Sequence, residues 1–410
     1  MDVETLKSLR TPPGRELLAE AVASYGTEGD FTLGTRLRRS HPPELVAAAL
    51  TQARLRQRAR AKFDPDDAAR MFFTADGLEQ ATRASVSAHR AARFASVSGP
   101  VADLCCGIGG DLIALARSGS AATGDNVTRA YATGAADVAG ARVTGVDLDP
   151  LTAAVAQANA EELGLAATVV EADVTTLDRT PFSAVMCDPS RRNPRGRVFD
   201  PDAYRPAWSF VAELLRESAC VKVAPGIRHG QIPTGVEAEW VSERGEVKEA
   251  ALWGGALANP GVRRRATLLP GGVTVTDADA PDDPAVAPPG RWLIEPDGAV
   301  IRAGLVTAVA AEVNGWLLDR QIAYVSTDTA PATRLGRAYE IVDRLPYDTK
   351  RLRAYVRDRE IGTLTVKKRG VGITPEALRR DLRPHGGNQA TLVVTRLQGR
   401  AAVLVVVPQR

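Results

Sequence analysis

The feature that most restricts the fold of this chain is an apolar run that breaks into glycines. Val101-Ala102-Asp103-Leu104 leads straight into Cys105-Cys106-Gly107-Ile108-Gly109-Gly110, and a helical pattern begins at Asp111. Glycines between a strand and a helix let the backbone approach a ligand that a β-carbon would hold off. The first helical turn then offers unpaired N–H groups. Alone, the turn fits either a dinucleotide fingerprint or a purely structural bend. The dinucleotide pattern G-x-G-x-x-G is not completed here, because its third position is not glycine.

Downstream the same alternation repeats. Strands are predicted at 143–147, 168–171, 183–187 and 220–223, with helices at 150–163 and 203–216 between them. Strands alternating with helices imply a parallel sheet covered on both faces. Segments 236–253 and 263–269 read as late strands, an antiparallel pair at the sheet edge. Upstream, 14–25, 43–63 and 66–95 carry helical patterns. The second of these holds Arg54, Arg56, Arg58, Arg60 and Lys62, a basic half that could face either solvent or phosphate. The Pro-rich stretch 276–290 reads as a linker. Beyond it the order is strand 292–295, helix 305–318, strands 322–325 and 339–343, helix 348–358, strand 362–367, helix 375–382 and strands 390–396 and 401–407. The last is an uninterrupted apolar run and so is expected to be a buried central strand. The organisation is therefore an N-terminal helical region (1–95), an α/β domain (96–275) and a C-terminal α+β region (290–410) with a basic core at 335–410.

Charge separates these parts. The chain of 410 residues carries a net +3, but residues 341–410 hold fifteen Lys or Arg against six Asp or Glu, leaving a net −6 on the rest. A basic module joined to a mildly acidic one suggests a polyanion partner, although a solvated basic surface would give the same count. No apolar run has the roughly 18 residues of a membrane helix, and Met1–Arg15 carries no apolar signal-peptide core, so a cytoplasmic location is expected. The four cysteines and four histidines stand in no metal-ligand spacing, so no metal and no disulfide is expected.

Candidate site residues sit at predicted strand ends, where parallel sheets place ligands. Asp147 can hydrogen-bond ribose hydroxyls, with Asp149 as a near alternative. Asp173 could accept from an adenine amino group or merely cap a helix. Cys187-Asp188-Pro189-Ser190 ends the 183–187 strand, and the proline makes a rigid turn that aims the acid at the cleft. Arg191, Arg192, Arg195 and Arg197 come next, a charge density suited to phosphate. Cys187 could serve as a nucleophile toward a pyrimidine carbon or simply pack.

Taken in order, DLCCGIGG, VTGVDLD, EADV and CDPS resemble the four motifs of the class I S-adenosylmethionine-dependent methyltransferases. Residues 71–116, including MFFTADGLEQATRASVSAHRAARF and the paired cysteines, look more specifically like the trimethylguanosine-synthase-like branch. The whole chain is similar to bacterial proteins that join this core to a C-terminal THUMP-like domain. The DPSRR loop, VKVAPGI, GEVKEAALWGG and the basic β/α tail carry that likeness.

The resemblance implies a Rossmann-like sheet, S-adenosylmethionine as cofactor, and methyl transfer to a base of structured RNA such as rRNA or tRNA. It implies Asp103, Cys105, Gly107, Gly109, Asp147 and Asp173 around the cofactor, with Asp103 near the amino group and Asp147 on the ribose. Asp188, Pro189, Ser190 and Arg191 would form the catalytic loop. Arg192, Arg195, Lys367, Lys368 and Arg369 would contact RNA. The family pattern after the acid is Pro, Pro and an aromatic. Ser190 and Arg191 depart from it, so arginine would have to stack on the base or grip phosphate. A small-molecule methyltransferase with a structural tail, or a non-catalytic RNA-binding protein, would carry the same motifs.

Overall fold

The computed structural model describes residues 1–119, 142–190, 192–193, 196–197 and 204–409. By internal contacts the chain divides into two compact units, residues 1–236 with 252–258, and residues 237–251 with 259–410. No helix among the described residues is long and apolar enough to cross a membrane.

The first unit opens with seven helices: α1 (Val3–Leu9), α2 (Pro12–Ser24), α3 (Asp30–Leu37), α4 (Pro43–Ala59), α5 (Pro65–Arg70), α6 (Ala75–Gln80) and α7 (Ala84–Phe94). Two of these, α1 and α3, are too short to show a clear apolar period. The continuous helical stretch predicted at 66–95 is instead three helices. The break at 71–74 is enforced by buried apolar side chains, since Met71, Phe72 and Phe73 are all fully buried and belong to one core with Leu17, Leu33 and Leu55.

The sheet of this unit comprises β1 (Val101–Leu104), β2 (Val143–Asp147), β3 (Ala167–Glu171), β4 (Ala184–Cys187) and, after a two-stranded turn of β5 (Arg192–Asn193) and β6 (Gly196–Arg197), β7 (Ala219–Val223). Helices α8 (Gly110–Gly119), α9 (Pro150–Glu162) and α10 (Trp208–Leu214) connect them. The order is β7-β4-β1-β2-β3, and each neighbouring pair is parallel. The chain runs outward from β1 in one direction and then in the other. That reversal opens a crevice at the carboxyl ends of β1 and β4.

The second unit begins with β8 (Glu237–Glu243), β9 (Glu246–Trp253), β10 (Arg264–Leu269) and β11 (Val273–Thr276). Arg244 and Gly245, both at positive φ, reverse the chain between β8 and β9, the backbone that a two-residue hairpin turn requires. The expected antiparallel partnership of 263–269 is corrected: β10 lies beside β8 and runs parallel to it, with β11 antiparallel at its other side.

Next come β12 (Trp292–Pro296), α11 (Gly298–Ala303), α12 (Val306–Glu312), β13 (Trp316–Asp319), β14 (Ile322–Thr327), β15 (Gly336–Pro346), α13 (Thr349–Asp358), β16 (Ile361–Lys368), α14 (Pro375–Leu382), β17 (Asn388–Leu397) and β18 (Arg400–Pro408). The helix predicted over 305–318 ends at Glu312. Asn314 adopts positive φ, and a β-carbon on Gly315 would lie 2.4 Å from the Ser326 carbonyl, so the chain turns there into a hairpin with β14. The seven strands order as β13-β14-β12-β15-β18-β17-β16. The apolar run at 401–407 is an interior strand, as its composition requires, and Val403 and Leu404 are fully buried.

Candidate active site

A cleft of about 920 Å³ occupies the crevice at the ends of β1, β2 and β4. The glycine turn forms one side. Gly107 and Gly109 have φ of 57° and 89°, while a β-carbon would meet nothing within 4 Å at Gly107 and only ordinary contacts at 3.6 Å at Gly109. Glycine is needed there for backbone conformation rather than for space. Cys105 also adopts positive φ, at 58°, a strain of about 1 kcal/mol for a residue with a side chain. The Asp147 carboxylate ties β2 to this turn, accepting from the Gly107 N–H through Oδ2 at 3.0 Å and from the Asp149 N–H through Oδ1 at 3.1 Å. Burial raises its pKa, and those backbone bonds pull the other way. Asp149 is the N-cap of α9, accepting from the Thr152 N–H at 2.7 Å.

The opposite wall comes from residues 74–82, outside the four sequence motifs. A β-carbon on Gly77 would sit 2.3 Å from Ile108 Cγ2, so the α6 turn can press on the glycine turn only because position 77 has no side chain. Two buried amides hold this wall. Asn159 accepts from the Phe72 N–H at 2.7 Å and donates to the Phe72 and Ile108 carbonyls at 3.1 and 2.9 Å. Gln52 exchanges two bonds with the Phe73 backbone at 2.9 and 2.7 Å. Of the basic run on α4 and beyond, Arg56 donates to the Met71 and Arg70 carbonyls, and Lys62 donates to those of Leu78, Glu79 and Ala81. These two cations therefore brace the wall.

Beneath the cleft lies a set of buried charges that strand register brings together. Residues opposite one another in a parallel pair share a face. Asp103 is opposite Met186, and Met186 is opposite Cys220. Two residues further along β4 and β7, Asp188 and Lys222 fall on that same face. Lys222 Nζ pairs with Asp188 Oδ2 and donates to Thr82 Oγ1 at 2.7 Å. Arg90 from α7 pairs with Asp111 from α8. The remaining Asp188 oxygen makes no hydrogen bond among the described residues. Both Asp103 oxygens are buried with no hydrogen-bond partner among the described residues. Burial, reinforced by Asp111 and Asp188, drives the Asp103 carboxyl well above its usual range. Asp111 is equally buried, but Arg90 and Lys222 outweigh that and hold it below.

The cleft itself is acidic. Asp76, Glu79, Asp111, Asp147, Asp149 and Asp188 line it, and no Lys or Arg is among its described lining residues. The described lining therefore suits a cationic ligand better than a pyrophosphate. A nucleoside that carries a sulfonium and an ammonium fits. Asp147 faces the cleft beside the glycine turn, and the buried Asp103 carboxyl lies near Arg90 and Lys222, which partly offset its desolvation.

The predicted residues fall into groups. Cys105, Gly107, Asp147, Asp188, Pro189 and Ser190 line the cleft together. Asp173 does not; it is exposed and accepts from the Thr175 N–H and hydroxyl, a local turn. Cys187 is fully buried, and a hydrogen bond with Cys105, then burial, pushes its thiol well above the ordinary value. That keeps it a neutral packing group. Arg191 and Arg195 lie outside the described residues, as does the side chain of Arg192. In the second unit Lys367 pairs with Glu295 at 2.6 Å, Arg369 stacks over Tyr324 at 5.3 Å, and Lys368 is exposed. Sequence reading missed Thr82, Arg90, Asp111 and Lys222. The only local signal for Lys222 is a lone cation inside an apolar strand.

Comparison with known proteins bears on the family and the fold. Residues 336–408 match the THUMP domain-like family, and residues 2–59 match a domain of unknown function. An uncharacterised S-adenosylmethionine-dependent methyltransferase of Mycobacterium tuberculosis, found in two strains, is 38% identical over 329 residues, 79% of this chain and 84% of that protein. A crystal structure described as a methyltransferase of Porphyromonas gingivalis superposes with a TM-score of 0.72 at 21% identity, covering 97% of this chain and 99% of the other. A class I methyltransferase fold with a C-terminal THUMP-like domain is thereby defined. The chain belongs to the S-adenosylmethionine-dependent methyltransferases.

Proposed function

We propose that this enzyme methylates a base of a structured RNA, rRNA or tRNA, with Asp188 positioning the acceptor. The observation that carries this reading is the placement of Asp188: one carboxylate oxygen is held by Lys222, and the other is uncommitted at the edge of the cofactor cleft. S-adenosylmethionine supplies an already activated methyl group, so the protein has mainly to orient a nucleophile. Asp188 does so by accepting a hydrogen bond from the target N–H. Lys222 fixes the rotamer of the carboxylate, and Thr82 fixes Lys222. Pro189 is buried and stiffens the turn, while Ser190 is anchored through backbone bonds with Arg205 at 2.8 and 3.1 Å.

The choice of RNA as substrate is supported by the THUMP-like match and the net positive charge of residues 341–410. Nucleoside mass spectrometry of rRNA and tRNA from a deletion strain tests it. Loss of one methylated nucleoside is expected, restored by the wild-type gene and not by Asp188→Ala. A change confined to small metabolites, with RNA intact, would overturn it. Purified Asp188→Ala should still bind S-adenosylmethionine.

A further inference from the structure

The second unit contains a cleft of about 520 Å³, the size range of a small-ligand site. One wall holds residues within the THUMP-like match, and the other is built from β8, β10–β11 and β12, which lie outside it. Arg334, Arg337, Lys367 and Arg369 line it together with Glu295 and Asp297, and Arg337 is the cross-strand neighbour of Glu295. The two carboxylates are already engaged. Glu295 accepts from Lys367 at 2.6 Å and from the Tyr339 hydroxyl at 3.4 Å, and Asp297 caps the Ala299 N–H at 2.8 Å.

Three guanidiniums therefore remain. Arg334 makes one contact of 3.3 Å with the Gly271 carbonyl. Arg369 lies over the Tyr324 ring, and its Nε is buried with no hydrogen-bond partner among the described residues. Arg337 makes no hydrogen bond or ion pair among the described residues. Its terminal nitrogen would lie 3.3 Å from a β-carbon on Gly245, so the absence of a side chain there leaves it room. Planar guanidinium forks match phosphate oxygens two at a time, and four cations against two carboxylates leave an excess of positive charge in the lining.

We propose that this cleft seats a phosphate-bearing nucleotide, presented by the RNA acceptor. The source of the phosphate rests on RNA being the substrate; the chemistry of the cleft does not. The test uses the full chain, with fluorescence anisotropy of a labelled short single-stranded RNA at several salt concentrations. Calorimetry with adenosine 5′-monophosphate and with inorganic phosphate runs alongside. Arg337→Glu and the double variant Arg334→Ser/Arg337→Ser are compared with wild type, and S-adenosylmethionine binding shows that each variant is folded.

The expected result is RNA binding weakened about tenfold or more in Arg337→Glu, with the salt slope shallower by roughly one for each phosphate no longer neutralised. Salt-sensitive RNA binding that is unchanged in both variants overturns the cleft and leaves RNA standing as the substrate. Binding of adenosine monophosphate that is abolished in the variants, with no RNA binding by wild type, supports the phosphate cleft and overturns RNA as the source. No binding of RNA, nucleotide or phosphate overturns both.

Discussion

Lys222 and Asp188 form an ion pair between adjacent parallel strands, 34 positions apart in the chain. Lys222 retains 6% side-chain exposure and Asp188 27%, so the cation is sealed while the carboxylate still reaches the cleft. The pair is a consequence of register, because Cys187 is opposite Val221 and each partner is the next residue along.

If Lys222 orients Asp188, Lys222→Met should separate binding from chemistry. Methionine keeps the apolar stem and removes the charge. S-adenosylmethionine affinity should stay within about twofold, while single-turnover methyl transfer to RNA from a deletion strain should slow about 100-fold, the usual result of a mispositioned reacting group. A normal rate with the ion pair gone would show that Asp188 needs no partner.

The two acids after β2 can be told apart by calorimetry. Asp147 spans the glycine turn and faces the cleft, whereas Asp149 is occupied as a helix cap. Asp147→Ala should weaken S-adenosylmethionine binding about 10- to 100-fold, the worth of a charged hydrogen bond and of an ordered turn. Asp149→Ala should act mainly on stability, by about 1 kcal/mol. Equal losses of affinity in the two variants would contradict the assignment of the ribose to Asp147.

Asn159 makes three buried hydrogen bonds to the Phe72 and Ile108 backbone. Asn159→Ala strands one N–H and two carbonyls, so a loss of about 3 kcal/mol is expected in urea unfolding. Because Ile108 belongs to the glycine turn, cofactor affinity should fall with stability. A variant that loses stability but binds normally would show the 71–82 wall to be independent of the cofactor site.

Asp103 sets a pH dependence. Its carboxyl is raised well above the ordinary carboxylate range by burial first, then by Asp111 and Asp188. A raised acid stabilises the fold while protonated, and that contribution declines as pH climbs from about 4 through the folded-state pKa. Asp103→Asn should therefore gain stability relative to wild type as pH increases across that window. Urea unfolding of both proteins at a series of pH values reads this directly, and a stability difference that does not change with pH would contradict it.

Strand and helix order, the glycine turn and the acids at strand ends were legible in the chain because each depends on neighbours within one turn or one strand. The same locality explains the misreadings. A helical period at 305–318 could not report that Ser326, eleven residues after Gly315, would demand a hairpin. Alternation at 263–269 could not report which neighbour the strand would join.

The electrostatic character of the site, by contrast, was set by tertiary packing alone. Asp103, Asp111 and Asp188 look alike as residues, but one is buried with no hydrogen-bond partner among the described residues, one is paired with Arg90 and one with Lys222. Their partners come from α7 and β7, far along the chain. A carboxylate's role depends on which charges lie within a few ångströms and on how much water reaches it, and sequence separation determines neither. Local chemistry named the family of fold; long-range register determined which acid remains available to a substrate.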